Sequence, residues 1–186
     1  MTFNLMIAGV GGQGTVLASK LIAAAGMKKG YHVRTTETIG MAQRGGSVVS
    51  HVRIGDNIFS PLIPLGKAQS LIAFEPSEAV RQLPYLCREG SIIVSDVIIK
   101  PAGSSPENPF TMIDYLKKNV HNLIVADGRQ LTGENVKTLN VALLGTASQK
   151  GFFPFDAETL IEVIKEMLPQ KILEMNLRAF ELGRTA

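Results

Sequence analysis

The sequence predicts an α/β fold, a single domain over residues 1–186 built on a mostly parallel sheet flanked by helices. Three observations carry that expectation. Short apolar runs alternate with stretches of helical periodicity, the pattern left by strands joined through crossover helices. The first run ends in the glycine-rich hexamer Gly9-Val10-Gly11-Gly12-Gln13-Gly14, where a strand would turn into a helix. The 186 residues are 45% hydrophobic, enough to enclose one core.

Residues 4–10 contain Leu5, Met6, Ile7 and Ala8 and read as a buried strand. Over 15–29, Leu17, Ala18, Leu21 and Ala25 recur at helical spacing, and Gly30 stops that helix. Residues 31–36 form a second strand and 47–54 a third. Gly55-Asp56-Asn57 turns towards Ile58-Phe59, which suggests a small hairpin-like inset. Apolar runs at 69–74, 91–95 and 122–126 are further strands, with helices at 78–86, 112–118 and 141–150. Residues 101–109, with three prolines and two serines, form a loop. Two helices close the fold. Asp156 is placed to cap a stripe of Ala157, Leu160, Ile161, Ile164 and Leu168, which Pro169 ends. Ile172, Met175, Ala179 and Leu182 mark the last helix, closed by Gly183. There is no internal repeat.

Composition removes several function classes. The net charge is +3 and the basic residues are scattered, with no run beyond Lys28-Lys29 and Lys117-Lys118, so no nucleic-acid-binding stripe is expected. No run approaches the ~18 apolar residues of a membrane span, and the first residues lack the basic n-region of a signal peptide. Cys87 is the only cysteine. It can form no internal disulfide, and one thiol cannot hold an iron–sulfur cluster or a structural zinc. A reducing, cytoplasmic setting follows. Charged residues make up only 19% of the chain, which leaves apolar surface suited to a stable complex. Phe152-Phe153-Pro154-Phe155 and Met27, Met41, Met112, Met167 and Met175 are the candidates for it, with core packing as the alternative.

The hexamer has the G-x-G-x-x-G spacing of a Rossmann-like first turn. One glycine allows the tight turn, one lets backbone approach a phosphate, and one lets helix pack on strand. The free N–H groups of the following helix favour an anion. Gly9, Gly11, Gly12, Gln13 and Gly14 are therefore candidates for binding a cofactor. Three readings stay open: the glycines only shape the turn, or they hold a phosphate-bearing ligand such as coenzyme A, or they hold NAD or FAD. For the last, Glu37 lies 23 residues after Gly14, near the place of a ribose-binding acid, but it opens a segment of unusual composition.

That segment, residues 36–47, crowds an acid, an amide, an arginine and three glycines between two strands. Gln43, Arg44, Gly45 and Gly46 are candidate ligand groups, since a guanidinium beside free backbone N–H groups suits a carboxylate or phosphate. The alternative is that Arg44 pairs with Glu37 and holds the loop's shape. Glu75, Asp96 and Asp127 each follow a strand run and would line the crevice of a parallel sheet. There they could hold Mg²⁺ or act as an acid/base pair, but the stronger reading is structural: Glu75 before Pro76-Ser77 resembles a helix start, and Asp127-Gly128 a turn. His51 is a strand histidine that could reach the cleft, with a packed, hydrogen-bonded role as the alternative. His32 and His121 look structural, and no metal-ligand spacing is present.

GVGGQG, ETIGMAQRGGSVVSHVRIG, LIAFEPSEA, NVALLGTASQKGFFPF and NLRAFELG together resemble the gamma subunit or gamma domain of the 2-oxoacid:ferredoxin oxidoreductases. The likeness covers nearly the whole chain. It is greatest to the small (beta) subunit of the indolepyruvate enzymes, with 2-oxoglutarate- and pyruvate-type gamma subunits next. The resemblance implies a complex that decarboxylates a 2-oxoacid, such as indolepyruvate, on thiamine diphosphate with Mg²⁺. Electrons then pass through 4Fe-4S clusters to ferredoxin, and the acyl group goes to coenzyme A. It places thiamine and clusters in a large partner subunit, leaves this chain without a cofactor or catalytic residue of its own, and makes it inactive alone. Isolated, the chain is expected to self-associate. The competing functions are an independent NAD(P)-dependent oxidoreductase and a nucleotide-binding scaffold.

Overall fold

The chain enters along strand β1 (Thr2–Val10), passes through helix α1 (Thr15–Lys28) to β2 (His32–Ile39), and returns as β3 (Ser47–Gly55). Then come β4 (Ala68–Ala73) and α2 (Pro76–Gln82), β5 (Leu86–Ser95) and α3 (Pro109–Asn119), β6 (Asn122–Ala126) and α4 (Gly128–Thr132). Helices α5 (Leu139–Gln149), α6 (Ala157–Met167) and α7 (Gln170–Thr185) complete the fold. The structure is a computed structural model and describes residues 2–40, 45–99, 109–133 and 135–186. Of the proline-rich loop expected at 101–109, only Pro109 belongs to the described residues, where it opens α3.

The six strands form one sheet in the order β2-β3-β1-β4-β5-β6. β1, β4, β5 and β6 pair in parallel, while β3 runs antiparallel to both β1 and β2. The antiparallel inset expected from the sequence is therefore present, with a different partner. β3 hairpins with β2, and Ile58-Phe59 form no strand. Instead the loop after Gly55 is fastened down: Arg53 Nη1 donates to the carbonyls of Ser60 and Leu62 at 2.8 and 3.2 Å, and the Ile63 N–H donates to His51 Nδ1 at 3.2 Å.

Period-2 alternation sorts the strand residues between two cores. Leu5, Ile7, Val52, Ile54, Ile72 and Ile93 face α1, α5, α6 and α7; Met6, Ala8, Val49, Leu71 and Ile92 face α2 and α3. Central β1 is buried from Asn4 onward, whereas edge strand β2 exposes His32 and Thr35, as the polar edge of a sheet should. Phe152 and Phe153 join the first core and Phe155 packs partly buried against it, so most of the aromatic cluster packs inside.

Helix ends follow their sequence signals with two exceptions. Gly30 (φ 84°) closes α1, and its N–H donates to Met27 O at 2.9 Å. Asp156 caps α6, accepting from the Thr159 N–H at 2.9 Å. A hydrogen bond from Lys29, then those from Thr159, hold its carboxyl below the usual carboxylate range. The helix expected at 78–86 ends at Gln82, because Pro84 supplies no N–H and favours a short 3₁₀ turn. Leu86 then pairs with Ala68 at the start of a longer β5. Gly183 does not close the last helix, which continues to Thr185. A Cβ on Gly183 would strike the Ala142 carbonyl, and one on Gly145 the Phe180 carbonyl, so this glycine pair lets α5 and α7 touch backbone to backbone. Thr146 Oγ1 donates to Gly183 O across that contact at 2.9 Å.

Candidate anion-binding site at the glycine turn

β1 ends at Val10, and the chain climbs into α1 with no side-chain cap. Gly14 occupies the cap position at φ 80°, ψ 26°, and no acidic residue stands in the first turn. The amides at this helix start carry partial positive charge that no carboxylate of the helix neutralises. Gly12 adopts φ 98° with open space where a side chain would project, so the turn presents bare backbone. Gly9 and Gly14 are small for packing reasons. A Cβ on Gly9 would lie 2.8 Å from Gln13 Oε1, and one on Gly14 would collide with the Asn140 amide. Asn140, at the start of α5, donates to Gly14 O at 3.3 Å.

Gln13 braces this turn. Its Oε1 accepts from the Val10 N–H at 2.8 Å and its Nε2 donates to Phe74 O at 3.0 Å, tying the turn to the end of β4. The second glycine-rich element meets the first here: the Gly11 N–H donates to Gly46 O at 2.8 Å, and Gly45 takes φ 73°. Gly40 N–H donates to Ser47 O at 2.8 Å and closes the β2–β3 hairpin, with Gly45 and Gly46 leading into β3. Thus the structure brings Gly9, Gly11, Gly12, Gln13, Gly14, Gly45 and Gly46 together. Gln43 and Arg44 lie outside the described residues, as does any pairing of Arg44 with Glu37.

Glu37 stands apart from that group. Its carboxylate accepts from Ser19 Oγ at 3.0 Å, about 7.5 Å along α1 from Gly14 at 1.5 Å per residue. Because β3 lies between β1 and β2, Glu37 is two strands from the glycine turn, roughly 10 Å at ordinary strand spacing. A ribose-binding acid needs the second strand beside the first, which this sheet lacks.

The remaining acids are occupied structurally. Glu75 caps α2, accepting from the Glu78 N–H at 3.0 Å and from the Ser77 hydroxyl. Asp96 accepts from the Gly128 N–H at 2.8 Å, and Asp127 caps α4 through the Gln130 N–H at 2.9 Å. His51 is buried, packs edge-on against Tyr85, and is held below its ordinary pKa of 6.5 by desolvation. It fastens a loop, accepting from the Ile63 N–H at 3.2 Å. Cys87 is partly buried in β5. Among the described residues no three of His, Cys, Asp and Glu gather as metal ligands, and no helix is long and apolar enough to cross a membrane. The donor set does not fit an iron–sulfur cluster, which needs several thiolates where this chain has one.

Two side chains at this end escaped the sequence reading. Ser47 Oγ donates to Glu78 Oε2 at 2.5 Å, and both Glu75 and Glu78 are buried. The spacing Glu75-Pro76-Ser77-Glu78, a cap with an acid three residues on before an apolar stretch, was the available signal.

The sequence profile of the pyruvate ferredoxin/flavodoxin oxidoreductase family matches residues 4–186. The chain is 38% identical to the indolepyruvate oxidoreductase subunit IorB of Thermococcus kodakarensis, over 97% of this chain and 94% of that one. Its fold is similar to the keto/oxoacid ferredoxin oxidoreductase gamma subunit of Geobacter sulfurreducens (TM-score 0.71, 19% identity, 98% of this chain and 94% of that one). It is also similar to part of the 2-oxoglutarate:ferredoxin oxidoreductase of Magnetococcus marinus, solved with 2-oxoglutarate, coenzyme A and succinyl-CoA bound (TM-score 0.72, 21% identity, 99% of this chain, 30% of that one). At these identities the two structures speak for the fold alone.

Proposed function

The chain belongs to the pyruvate ferredoxin/flavodoxin oxidoreductase family, and on that premise we propose that it is the small, gamma-type subunit of an indolepyruvate:ferredoxin oxidoreductase. The observation that carries this reading is the 38% identity to an indolepyruvate subunit over nearly the full length of both chains. The chain joins a larger subunit that holds thiamine diphosphate, Mg²⁺ and 4Fe-4S clusters, in a cytoplasmic complex that reduces ferredoxin. The single cysteine supports that division of labour. Exposed Phe59, Leu62 and Leu65, on a loop pinned by Arg53 and His51, supply apolar surface for assembly or, without the partner, self-association.

Within the complex the glycine turn is the proposed seat for phosphate of coenzyme A. An uncapped helix start, an open Gly12 and a Gly45-Gly46 backbone beside it suit an anion approached by N–H groups. Gln43 and Arg44, next in sequence to Gly45-Gly46, are proposed to contribute to the same site, and Glu37 to support it through α1. When bound, coenzyme A supplies the thiol that accepts the acyl group; the residues of this chain bind and orient it. The separation of Glu37 from the turn disfavours the reading as an independent NAD(P) enzyme.

The test is co-expression with the thiamine-bearing subunit and assay of acceptor reduction with indolepyruvate, pyruvate and 2-oxoglutarate. Co-purification and strict coenzyme A dependence are expected, with indolepyruvate giving the highest kcat/KM. A monomer that ignores the partner, or preference for pyruvate, would overturn the assembly or the substrate assignment respectively.

A further inference from the structure

Three segments meet at the glycine-turn end, and a closed circuit of five hydrogen bonds locks them together. From Gly11 N–H the circuit crosses to Gly46 O at 2.8 Å, and from the adjoining Ser47 hydroxyl to Glu78 Oε2 at 2.5 Å. From the Glu78 N–H it reaches the Glu75 carboxylate at 3.0 Å, and from neighbouring Phe74 O it meets Gln13 Nε2 at 3.0 Å. Gln13 Oε1 accepts from the Val10 N–H at 2.8 Å, one residue before the starting point.

Among these five bonds, the link between Ser47 and Glu78 is the one made by two side chains. It is charge-assisted and partly buried, with Ser47 half-buried and Glu78 only 3% exposed. Among the described residues, the other side-chain partner of the Glu78 carboxylate is Arg81 at 3.4 Å, whose side chain is 67% exposed, so solvent weakens that pair. A carboxylate buried in this way holds Ser47, and with it the Gly45-Gly46 backbone, against the glycine turn.

We propose that Glu78 is a positioning residue, acting through Ser47 to set the Gly45-Gly46 backbone relative to the glycine turn and so the geometry with which this end holds coenzyme A. The proposal rests on the reading of the glycine turn as the coenzyme A site. Glu78 touches no reacting atom in this role. Its effect is on the alignment of backbone N–H groups, which charge-assisted recognition of phosphate depends on.

The test is steady-state kinetics of the assembled complex, read with a thermal melt of each variant. Ser47→Ala is expected to raise KM for coenzyme A about 10-fold, leaving kcat and KM for the 2-oxoacid within about twofold. Glu78→Gln keeps an acceptor but loses the charge, so about a threefold rise is expected. Ser47→Thr restores the hydroxyl and should restore KM. A lowered melting temperature with an unmoved KM for coenzyme A would mean a purely structural bond and overturn the proposal, as would equal rises in KM for both substrates. Gly12→Ala separates this from its premise. If Gly12→Ala raises KM for coenzyme A while Ser47→Ala does not, only the positioning role fails. If neither variant moves it, the coenzyme A site itself is misplaced.

Discussion

Glycine works in opposite ways at the first turn and at the crossing of α5 and α7. At the turn, Gly12 takes φ 98° and faces open space, so the missing side chain exposes backbone. At the crossing, Gly145 and Gly183 sit in ordinary helical conformation, and the missing side chains let two backbones meet where a Cβ would collide with a carbonyl. The first arrangement leaves polar N–H groups available to a ligand; the second removes all space for one. Around the crossing the protein is dense and apolar, with Phe180 fully buried against it, a side chain whose burial contributes about 1.5–3 kcal/mol. Around the turn, by contrast, buried carboxylates and amides hold segments in place by hydrogen bonds. One region is built for stability and the other for geometry, and substitutions should separate the two.

The largest effect is expected at the crossing. Gly183→Ala or Gly145→Ala should cost about 3 kcal/mol, the upper end for overpacking, because the clashing atoms are backbone that cannot rotate away. For a chain of this size that lowers the melting temperature by about 6–12 °C. A stable Gly183→Ala variant melting like the parent would show that the helices can separate and that the crossing is not tight.

Gly12→Ala should give the reverse balance. Left-handed strain costs about 1 kcal/mol, a melting shift of about 2–4 °C, while the added methyl would project into the open space beside the proposed coenzyme A site. Coenzyme A binding by the assembled complex, followed calorimetrically, should weaken by more than the melt would suggest. Equal losses in melt and binding would erase the distinction between the two regions.

The smallest effect concerns His51, on the packed side. Burial lowers its pKa from 6.5, and its Nδ1 accepts from Ile63. As pH falls through about 6.5 the unfolded chain takes up a proton that the folded chain resists. The stability present above that pH is therefore lost below it. Denaturant melts from pH 7 to pH 5 should show this decline, and His51→Gln should flatten it. A decline of the same slope in His51→Gln would assign the effect to other groups.

Much of this contrast was legible in the residues. The glycine hexamer lay between a strand and a helix as its spacing required, and Gly30 and Asp156 terminated helices through local φ freedom and a local side-chain bond. Such signals act over three or four residues and need no knowledge of the rest of the chain. Gly183 was misread for the same reason. A glycine near the end of an apolar stripe looks like a helix stop, and only the presence of α5 shows that it is a contact. The hairpin partner of β3 was equally unreadable, because strand-length runs on either side competed and pairing is decided by which of them fills the gap beside β1.

The candidate site divides along the same line. Sequence by itself determined that a glycine-rich turn would open a helix, that one cysteine could not hold a cluster, and which family the motifs resemble. Tertiary structure decided that the Gly45-Gly46 backbone meets Gly11, that Gln13 spends its amide on Val10 and Phe74, and that β3 separates Glu37 from the turn. It also joined Ser47 to Glu78 across 31 residues of chain. The physical reason is range. Backbone conformation and capping are settled by near neighbours, whereas a hydrogen bond between distant segments exists only once the sheet has set its strand order.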